Sequence, residues 1–351
     1  IWDVFNREKY HRPWFSSPLH RRGYAVAVAR DVERQNADII HIHNYSQFVP
    51  IFRRFNPKAK IVLHMHCGWL HQLNANMVQH RLERTDLVLG CSEYIVQKCK
   101  ARFPELSRLR VLPNGADGEG LGPLARPREG ERLKMVLVSR VSPEKGIHVA
   151  IKAFVSLARA YPNVNMEIVG PLSVCRHEYN MALARDPMTR SLACFYPEGR
   201  RNNRARGRVN RSYLDALHAS IPPDLSKRIL FRGAIPHEEV AQCYRGADIA
   251  ISPSVWQEPF GMPAAEAMMA GVPVIATDSG GLPEIVVDGE TGLVVERGSV
   301  EQLSCAMRTL IESADLRQTM GQKARTHALE QFTWDGMSER LMDCYRGVLE
   351  R

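Results

Sequence analysis

Residues 248–295 read DIAISPSVWQEPFGMPAAEAMMAGVPVIATDSGGLPEIVVDGETGLVV, and this stretch decides the fold. It contains a short apolar strand that ends at Ser252, a proline-containing loop, and a helix that begins at about Pro263, since proline is favoured in a first helical turn. Two further apolar strands follow. Short Ile/Val/Leu-rich strands that alternate with helices are typical of parallel sheets covered on both faces. The stretch therefore predicts an α/β fold.

The same alternation extends through the rest of the chain. The predicted strands are 37–43, 60–66, 87–91, 110–113, 134–139, 164–169, 228–231, 248–252, 272–277 and 291–295. Helices are predicted between most of them, for example His148–Ala160 and Glu238–Ala247. Residues 116–131, ADGEGLGPLARPREGE, predict a linker because four glycines and two prolines interrupt the apolar pattern. The predicted domains are 1–115 and 132–331, followed by a C-terminal helix at 332–351.

Composition and charge limit the class of protein. The chain has 351 residues, 44% hydrophobic and 24% charged, which fits a globular protein of two domains. Lysine and arginine number 47 and the acids 38, so the formal net charge is 47 − 38 = +9, which suits anionic partners. No apolar run reaches the ~18–20 residues of a membrane-spanning helix. Eight scattered cysteines without CxxC pairs predict reduced thiols and a cytoplasmic location.

Two carboxylates and two cations follow predicted strand ends. Glu258 lies in the loop after one strand, and Glu266 lies about one turn inside the next helix. Paired carboxylates suit sugar or ribose hydroxyls, because a carboxylate accepts hydrogen bonds from adjacent hydroxyls. In KMVLVSRVSPEKG, Arg140 and Lys145 follow another strand, where two cations can neutralise a diphosphate. The alternatives are two solvated acids and an ordinary surface lysine.

A third strand end carries Ser279, Gly280 and Gly281. Glycines at this position let backbone amides approach a phosphate or a sugar closely. The three strand ends are therefore predicted to meet at one crevice. Cations, backbone donors and carboxylates together suit a nucleotide diphosphate sugar better than NAD.

These motifs together resemble the donor domain of the retaining family 4 glycosyltransferases of GT-B fold, also called glycosyl transferases group 1. The E-x7-E motif of that family matches Glu258 to Glu266 within EPFGMPAAE, and SRVSPEKG and GGLPEIVVDGETGLVV match its other motifs. RLRVLPNGAD, IIHIHN and IVLHMHCG are similar to parts of the family's acceptor domain. The resemblance implies two Rossmann-like domains facing across a cleft, and it is strongest to bacterial envelope or spore-coat sugar transferases.

The resemblance also implies a role for each matching residue. The catalytic set would be Arg140 and Lys145 on the leaving diphosphate, Glu258 on the transferred sugar, and His66 near that sugar. In the donor-binding set, the Glu266 carboxylate would bind the ribose, and the backbone amides of Phe260, Gly261 and Met262 would bind sugar hydroxyls. The other members of the set would be Gly280 and Gly281 in their loop, and Ala234 and Ile235 near the base. The reaction implied is sugar transfer from a nucleotide diphosphate sugar, UDP favoured, to a hydroxyl acceptor with retention, and without a cofactor or metal.

The histidines allow a second interpretation. His41 with His43, and His64 with His66, are i, i+2 pairs, so each pair faces one side of a strand. Two such pairs could bind zinc, but no cysteine or carboxylate completes an evident ligand set. We therefore expect no metal here, and we expect packing or structural hydrogen bonds for His41 and His64.

Two segments fall outside the family pattern. The chain begins at IWDVFNREKYHRPWF, where the family has its first strand and Gly-Gly loop, so the first acceptor-domain strands are expected to be absent. Residues Gly199–Arg211, GRRNNRARGRVNR, contain six arginines and no acid. A solvated loop and a contact for an anionic acceptor or membrane surface are the two interpretations. Without interleaved aromatic residues, the segment does not indicate nucleic-acid binding.

Two functions compete with sugar transfer. A sugar-nucleotide epimerase of GT-B fold is disfavoured by the E-x7-E motif with its EPFG sequence. A sugar-nucleotide-binding protein without turnover would also keep Arg140, Lys145, Glu258 and Glu266. The expected partners are therefore a nucleotide sugar and a carbohydrate, lipid-linked or small hydroxyl acceptor, with peripheral contact to a membrane as an open possibility.

Overall fold

The computed structural model describes residues 13–118, 132–173, 183–196 and 213–350. The chain forms two compact units, the first comprising 1–114, 177–185 and 335–351, and the second comprising 115–176 and 186–334. Most of the predicted linker, from residue 119 onward, lies outside the described residues. The arginine-rich segment Gly199–Arg211 also lies outside them.

The first unit contains a parallel sheet whose strand order follows the chain, β1-β2-β3-β4. Its strands are β1 Ile39–His43, β2 Lys60–Met65, β3 Leu87–Gly90 and β4 Leu109–Val111. The helices between and before them are α1 Arg22–Gln35, α2 Val49–Phe55, α3 Trp69–Gln72, α4 Ala75–Leu82 and α5 Glu93–Arg102. β2 and β3 are buried along almost their whole length, which explains their continuous apolar sequences. Ser92 begins α5 by accepting a hydrogen bond from the backbone of Ile95.

The second unit contains a six-stranded parallel sheet of order β10-β9-β8-β5-β6-β7. Its strands are β5 Leu133–Val138, β6 Val164–Val169, β7 Ile229–Gly233, β8 Ile249–Ser252, β9 Val274–Thr277 and β10 Gly292–Val295. Its helices are α6 Ile147–Ala158, α7 Pro187–Ser191, α8 (residues 213–219), α9 His237–Arg245, α10 Met262–Met269, α11 Leu282–Ile285, α12 Val300–Glu312 and α13 Ala314–Gln331. The strand order reverses between β5 and β8. In open α/β sheets, ligands bind at the carboxyl ends of the strands beside this switch point.

The terminal helix, α14 (Trp334–Leu349), belongs to the first unit from Asp335 onward. Its buried residues Met337, Cys344 and Val348 pack into a cluster with apolar residues of β2 and β3. The sequence spacing predicts that the helix covers apolar surface, which is confirmed. Phe332, the predicted first residue, lies just before the helix and packs in the second unit, edge-on to Phe260 with ring centroids 5.7 Å apart.

The predicted α/β fold class is confirmed, and each of the ten predicted strands is present within a few residues of its predicted bounds. The seven cysteines in the described part of the chain are free thiols. Within the described residues, no helix combines the length and the apolarity needed to cross a lipid bilayer.

Candidate functional site

The loops that follow β5 and β8 are in close contact beside the switch point. Lys145 ends a short 3-10 helix, Pro143–Lys145, and Gly146 then adopts φ of +70° before α6 begins. A Cβ atom on Gly146 would lie 1.8 Å from the carbonyl oxygen of Pro253, so only glycine allows this approach. The amide of Val255 donates to the Glu144 carbonyl at 3.0 Å. The sequence of each loop therefore fixes the position of the other.

Lys145 and Glu258 form the centre of this region. The Nζ atom of Lys145 lies 2.7 Å from Oε2 of Glu258, and their side chains are only 15% and 12% exposed. The same oxygen accepts hydrogen bonds from Ser254 Oγ and Trp256 Nε1, both at 2.9 Å. The Lys145 ammonium also lies 5.4 Å from the centre of the Trp256 ring. The interpretation of Lys145 as an ordinary surface charge is therefore wrong.

Glu258 is ionised in this arrangement. Burial opposes its ionisation, but the Lys145 charge and the hydrogen bonds from Lys145, Trp256 and Ser254 outweigh burial and lower the pKa of Glu258. A carboxylate stabilised in this way is a weak base and a weak nucleophile. Glu258 can accept further hydrogen bonds through Oε1, but it is poorly suited to covalent chemistry.

The loop after β9 supports Glu258 from the other side. The Glu258 amide donates to Ser279 Oγ at 3.1 Å, and Gly281 N donates to the Glu258 carbonyl at 2.7 Å. Gly280 N donates to Oε1 of Gln257 at 2.9 Å. The two glycine amides, predicted to face a phosphate or a sugar, are thus engaged within the protein. In this structure they hold the Glu258 loop, and their contact with a phosphate or a sugar stays a prediction.

The start of α10 offers backbone donors. No residue in the described ranges accepts a hydrogen bond from the amides of Phe260, Gly261 and Met262. Proline follows at the second helical position, where the missing N–H costs nothing. These amides and the partial positive charge of the helix start can bind hydroxyl or anionic oxygens. The predicted role of the three residues is compatible with this geometry.

Glu266 lies one turn inside α10 and is half-buried. Burial raises its pKa, whereas His237 and a hydrogen bond from Tyr244 oppose that rise. The Tyr244 hydroxyl also lies 3.0 Å from the Pro263 carbonyl, which ties α9 to α10. Glu266 is therefore a carboxylate held against its preference for solvent, with a histidine beside it.

The remaining predicted residues of the second unit lie at the ends of β5 and β7. Arg140 donates from Nη2 to Oε1 of buried Glu144 at 3.0 Å. Ala234 and Ile235 follow β7 and lead directly into α9, where His237 is close enough to Glu266 to lower its pKa. The structure thus brings Glu258 into direct contact with Lys145 on one side and with the loop Ser279–Gly281 on the other.

His66 belongs to the first unit. Its Nε2 atom lies 2.9 Å from Nδ1 of His43, and its Nδ1 lies 3.0 Å from Oδ1 of Asn114. Burial and the neighbouring histidines lower the pKa of His41 to about 4 and of His64 to about 2, so both rings are neutral at pH 7. One ring nitrogen from each of His41, His43 and His64 lies within 4.8 Å of the others. The sequence offered the two histidine pairs as possible zinc ligands but did not show that His41, His43 and His64 would meet.

Three residues that support the site were missed from the sequence. Trp256 and Ser254 donate to the Glu258 carboxylate, and Glu144 anchors both Arg140 and the loop after β8. The only available signal was their location in the quoted loops. Nothing in their spacing shows that their polar atoms would meet at Glu258 or Arg140.

Two family models match this chain. The model described as "Glycosyl transferases group 1" matches residues 215–327, which include β8, α10 and both motif glutamates. The model described as "Glycosyltransferase Family 4" matches residues 3–119, which include the histidine strands. Together they cover parts of both units.

Relatives and solved structures agree with these matches. Spore coat protein SA of Bacillus subtilis is 23% identical over 339 residues, which cover 92% of this chain and 81% of that protein. The D-inositol 3-phosphate glycosyltransferase of Corynebacterium glutamicum is 30% identical over 253 residues, covering 69% and 52%. The crystal structure of Anabaena Alr3699/HepE in complex with UDP and glucose has a TM-score of 0.71 at 20% identity, covering 96% and 84%, and it shares the fold.

Proposed function

We propose that this chain, which belongs to the group 1 and family 4 glycosyltransferases and has the GT-B fold, transfers a sugar from UDP-sugar to a hydroxyl acceptor with retention. Use of a nucleotide sugar follows from the family. The observation that carries the proposal for this chain is the Lys145–Glu258 pair at the switch point of the second unit. A half-buried cation beside an ionised carboxylate suits a ligand with an anionic part and a hydroxyl-rich part.

The donor contacts follow from the site. An ammonium has three donors, and Glu258 takes one, so Lys145 can also donate to the diphosphate together with Arg140. Glu258 would accept sugar hydroxyls, while Glu266 would accept those of the ribose. The amides at the start of α10 would hold the sugar, and Ala234 and Ile235 the base. His66 would lie near the transferred sugar and take part in the transfer step.

We propose that transfer needs no divalent metal. Lys145, Arg140 and the N-terminus of α10 supply the positive charge that stabilises a leaving diphosphate. The geometry also favours a front-face reaction, in which the departing diphosphate helps to deprotonate the acceptor hydroxyl. Double displacement would need a nucleophilic carboxylate below the anomeric carbon. Glu258 fits that role poorly, because three donors hold one of its oxygens.

Calorimetric titration tests the donor contacts. We expect Lys145→Ala to weaken UDP binding by roughly 10- to 150-fold, since a hydrogen bond to a charged group contributes about 1.5–3 kcal/mol. Uridine binding should change little. Lys152→Ala, which removes an exposed lysine from the neighbouring helix α6, is the matched control and should bind UDP normally. Equal UDP affinity in the wild type and Lys145→Ala would contradict the assignment.

Turnover is tested with UDP-sugars, with and without hydroxyl acceptors, in excess EDTA. We expect a glycoside whose anomeric configuration by NMR equals that of the donor, and no hexosyl adduct on the protein by mass spectrometry. Loss of activity in EDTA with recovery in Mn²⁺ would contradict metal independence. An epimerised donor would show an epimerase, whereas donor binding without a product for any acceptor would favour a protein that only binds sugar nucleotides.

A further inference from the structure

Four histidines form one cluster on the sheet of the first unit. His41 and His43 lie on β1, His64 lies on β2, and His66 directly follows β2. The two strands are parallel neighbours, with His43 paired to His64 in register. Alternate residues of a strand face the same side, so the four rings meet. Their centroids are 4.3 Å apart for His41 and His43, and 4.1 Å apart for His64 and His66.

The hydrogen bonds around the cluster assign protons to its rings. Oδ1 of Asn114 is only an acceptor, so Nδ1 of His66 carries the proton in their 3.0 Å bond. In the neutral ring, Nε2 of His66 is then an acceptor, and Nδ1 of His43 donates to it at 2.9 Å. In this series of hydrogen bonds, the proton of neutral His43 lies on Nδ1, and its Nε2 keeps a free lone pair.

The other two rings also have nitrogens to offer. Nδ1 of His41 lies 2.6 Å from the Tyr345 hydroxyl on α14, and when it donates there its Nε2 keeps a lone pair. That Nε2 is buried and has no hydrogen-bond partner in the described part of the chain. The ring of His64 is buried too; one of its nitrogens faces the backbone of Leu112, and the other is left without a partner among the described residues. His64 is completely buried. Leaving buried polar atoms unpaired is unfavourable, so the nitrogens without a partner are candidates for binding a ligand.

We propose that His41, His43 and His64 bind a divalent transition metal ion of the Zn²⁺ type. Zn²⁺ is commonly bound by neutral imidazoles, and three of them leave a fourth position for water, which can enter beside exposed His43. With Zn²⁺ bound to Nε2 of each ring, Nδ1 of His41 would donate to Tyr345 and Nδ1 of His43 to His66, and these are the outer contacts that orient metal-binding histidines.

Binding requires a small rearrangement of the rings. A tetrahedral ion with Zn–N bonds of about 2.0–2.1 Å needs nitrogens about 3.4 Å apart. One nitrogen from each of the three rings now lies within 4.8 Å of the other two, so these atoms must approach by at most about 1.4 Å. Rotation of the rings about their side-chain bonds supplies this movement. The proposal rests on the histidines of the first unit alone and does not depend on the donor contacts proposed above, although His66 takes part in both proposals.

Metal uptake by the 351-residue chain tests the proposal. The protein is stripped with EDTA, dialysed against Zn²⁺ and analysed by mass spectrometry for bound metal; we expect one ion per chain. Co²⁺ in its place should give the intense visible absorption of a tetrahedral site. His43→Gln should weaken Zn²⁺ binding at least 10-fold, and its exposed position makes it safer for folding than a change at His64. His80→Gln, on the exposed face of α4, should bind as the wild type does.

A second variant separates ligand loss from general disruption. Tyr345→Phe keeps the ring but removes the hydroxyl that is hydrogen-bonded to Nδ1 of His41, and we expect 10- to 100-fold weaker Zn²⁺ binding, as for other outer contacts. The proposal is overturned if the wild type takes up no stoichiometric Zn²⁺, or if His43→Gln and the wild type bind it equally. Sugar transfer is not a readout of either result, so failure here leaves the proposed function untouched.

Discussion

At the scale of single residues, the pKa values of the two motif glutamates, Glu258 and Glu266, are shifted in opposite directions. Lys145, Trp256 and Ser254 overcome burial and lower the pKa of Glu258, whereas burial raises the pKa of Glu266. The Glu258 carboxylate therefore stabilises the folded state above its unfolded pKa. For Glu266 the protonated form favours folding, so its contribution to stability is present at low pH and is lost as the pH rises through its raised pKa. A carboxylate kept against stability is expected where a ligand needs it.

The lowered pKa of Glu258 predicts how stability changes with pH. Its contribution should be complete above the unfolded pKa of about 4.3 and be lost as pH falls through the lower folded value. We expect the free energy of unfolding in urea to fall less between pH 6 and roughly pH 3.5 for Glu258→Gln than for the wild type. Glu301→Gln, an exposed glutamate in the first turn of α12, should behave as the wild type. Parallel curves for Glu258→Gln and the wild type would argue against the ion pair.

At the scale of elements, the site depends on how closely its loops approach. Gly280 has φ of +56°, and a Cβ atom there would lie 2.1 Å from the Glu258 carbonyl oxygen. Gly289 also has a positive φ, +73°, but a Cβ atom on it would meet no described atom within 4 Å. The pair therefore separates the cost of a left-handed backbone from the cost of crowding.

Alanine at these two glycines should have different effects. Gly289→Ala should cost about 1–2 kcal/mol, the usual penalty of a left-handed alanine. Gly280→Ala should cost about 1–3 kcal/mol more, because the Glu258 loop must move, and it should also weaken UDP binding. Urea unfolding and calorimetry measure both effects. If the two variants were equally stable and bound UDP equally, the close approach would not position Glu258.

The elements also show what sequence can predict. Strands such as β2 and β8 were predictable because burial on both faces demands a continuous apolar run. The sequence predicted only that Lys145 and Glu258 lie at the same edge of the sheet, since the carboxyl ends of parallel strands share one edge. It did not predict that the two side chains form an ion pair. The engagement of the Gly280 and Gly281 amides was not, because it depends on the Gln257 side chain and the exact path of the preceding loop.

At the scale of the whole molecule, the first unit is built from distant parts of the chain. His41 bonds Tyr345 across 304 positions, and α14 completes the apolar cluster over β2 and β3. A sequence pattern shows that the terminal helix has an apolar stripe, but it does not show which sheet that stripe covers. The convergence of His41, His43 and His64 also requires the register of β1 with β2, which local patterns do not specify.

Net charge acts at this scale as well. With a formal charge of +9, the protein attracts anions over distances comparable with the Debye length, about 10 Å at 0.1 M salt. The association rate of UDP should therefore fall severalfold between roughly 0.02 and 0.3 M salt, whereas that of uncharged uridine should stay constant. Stopped-flow fluorescence can follow both, since Trp256 lies beside Lys145.

The same experiment separates long-range attraction from the local contact. Lys145→Ala removes one charge of many, so the salt dependence of its UDP association rate should remain close to that of the wild type. Its dissociation rate should rise instead, because the lost hydrogen bond acts only in the complex. An association rate for UDP that is as insensitive to salt as that of uridine would show that the positive charge lies too far from the site to guide the donor.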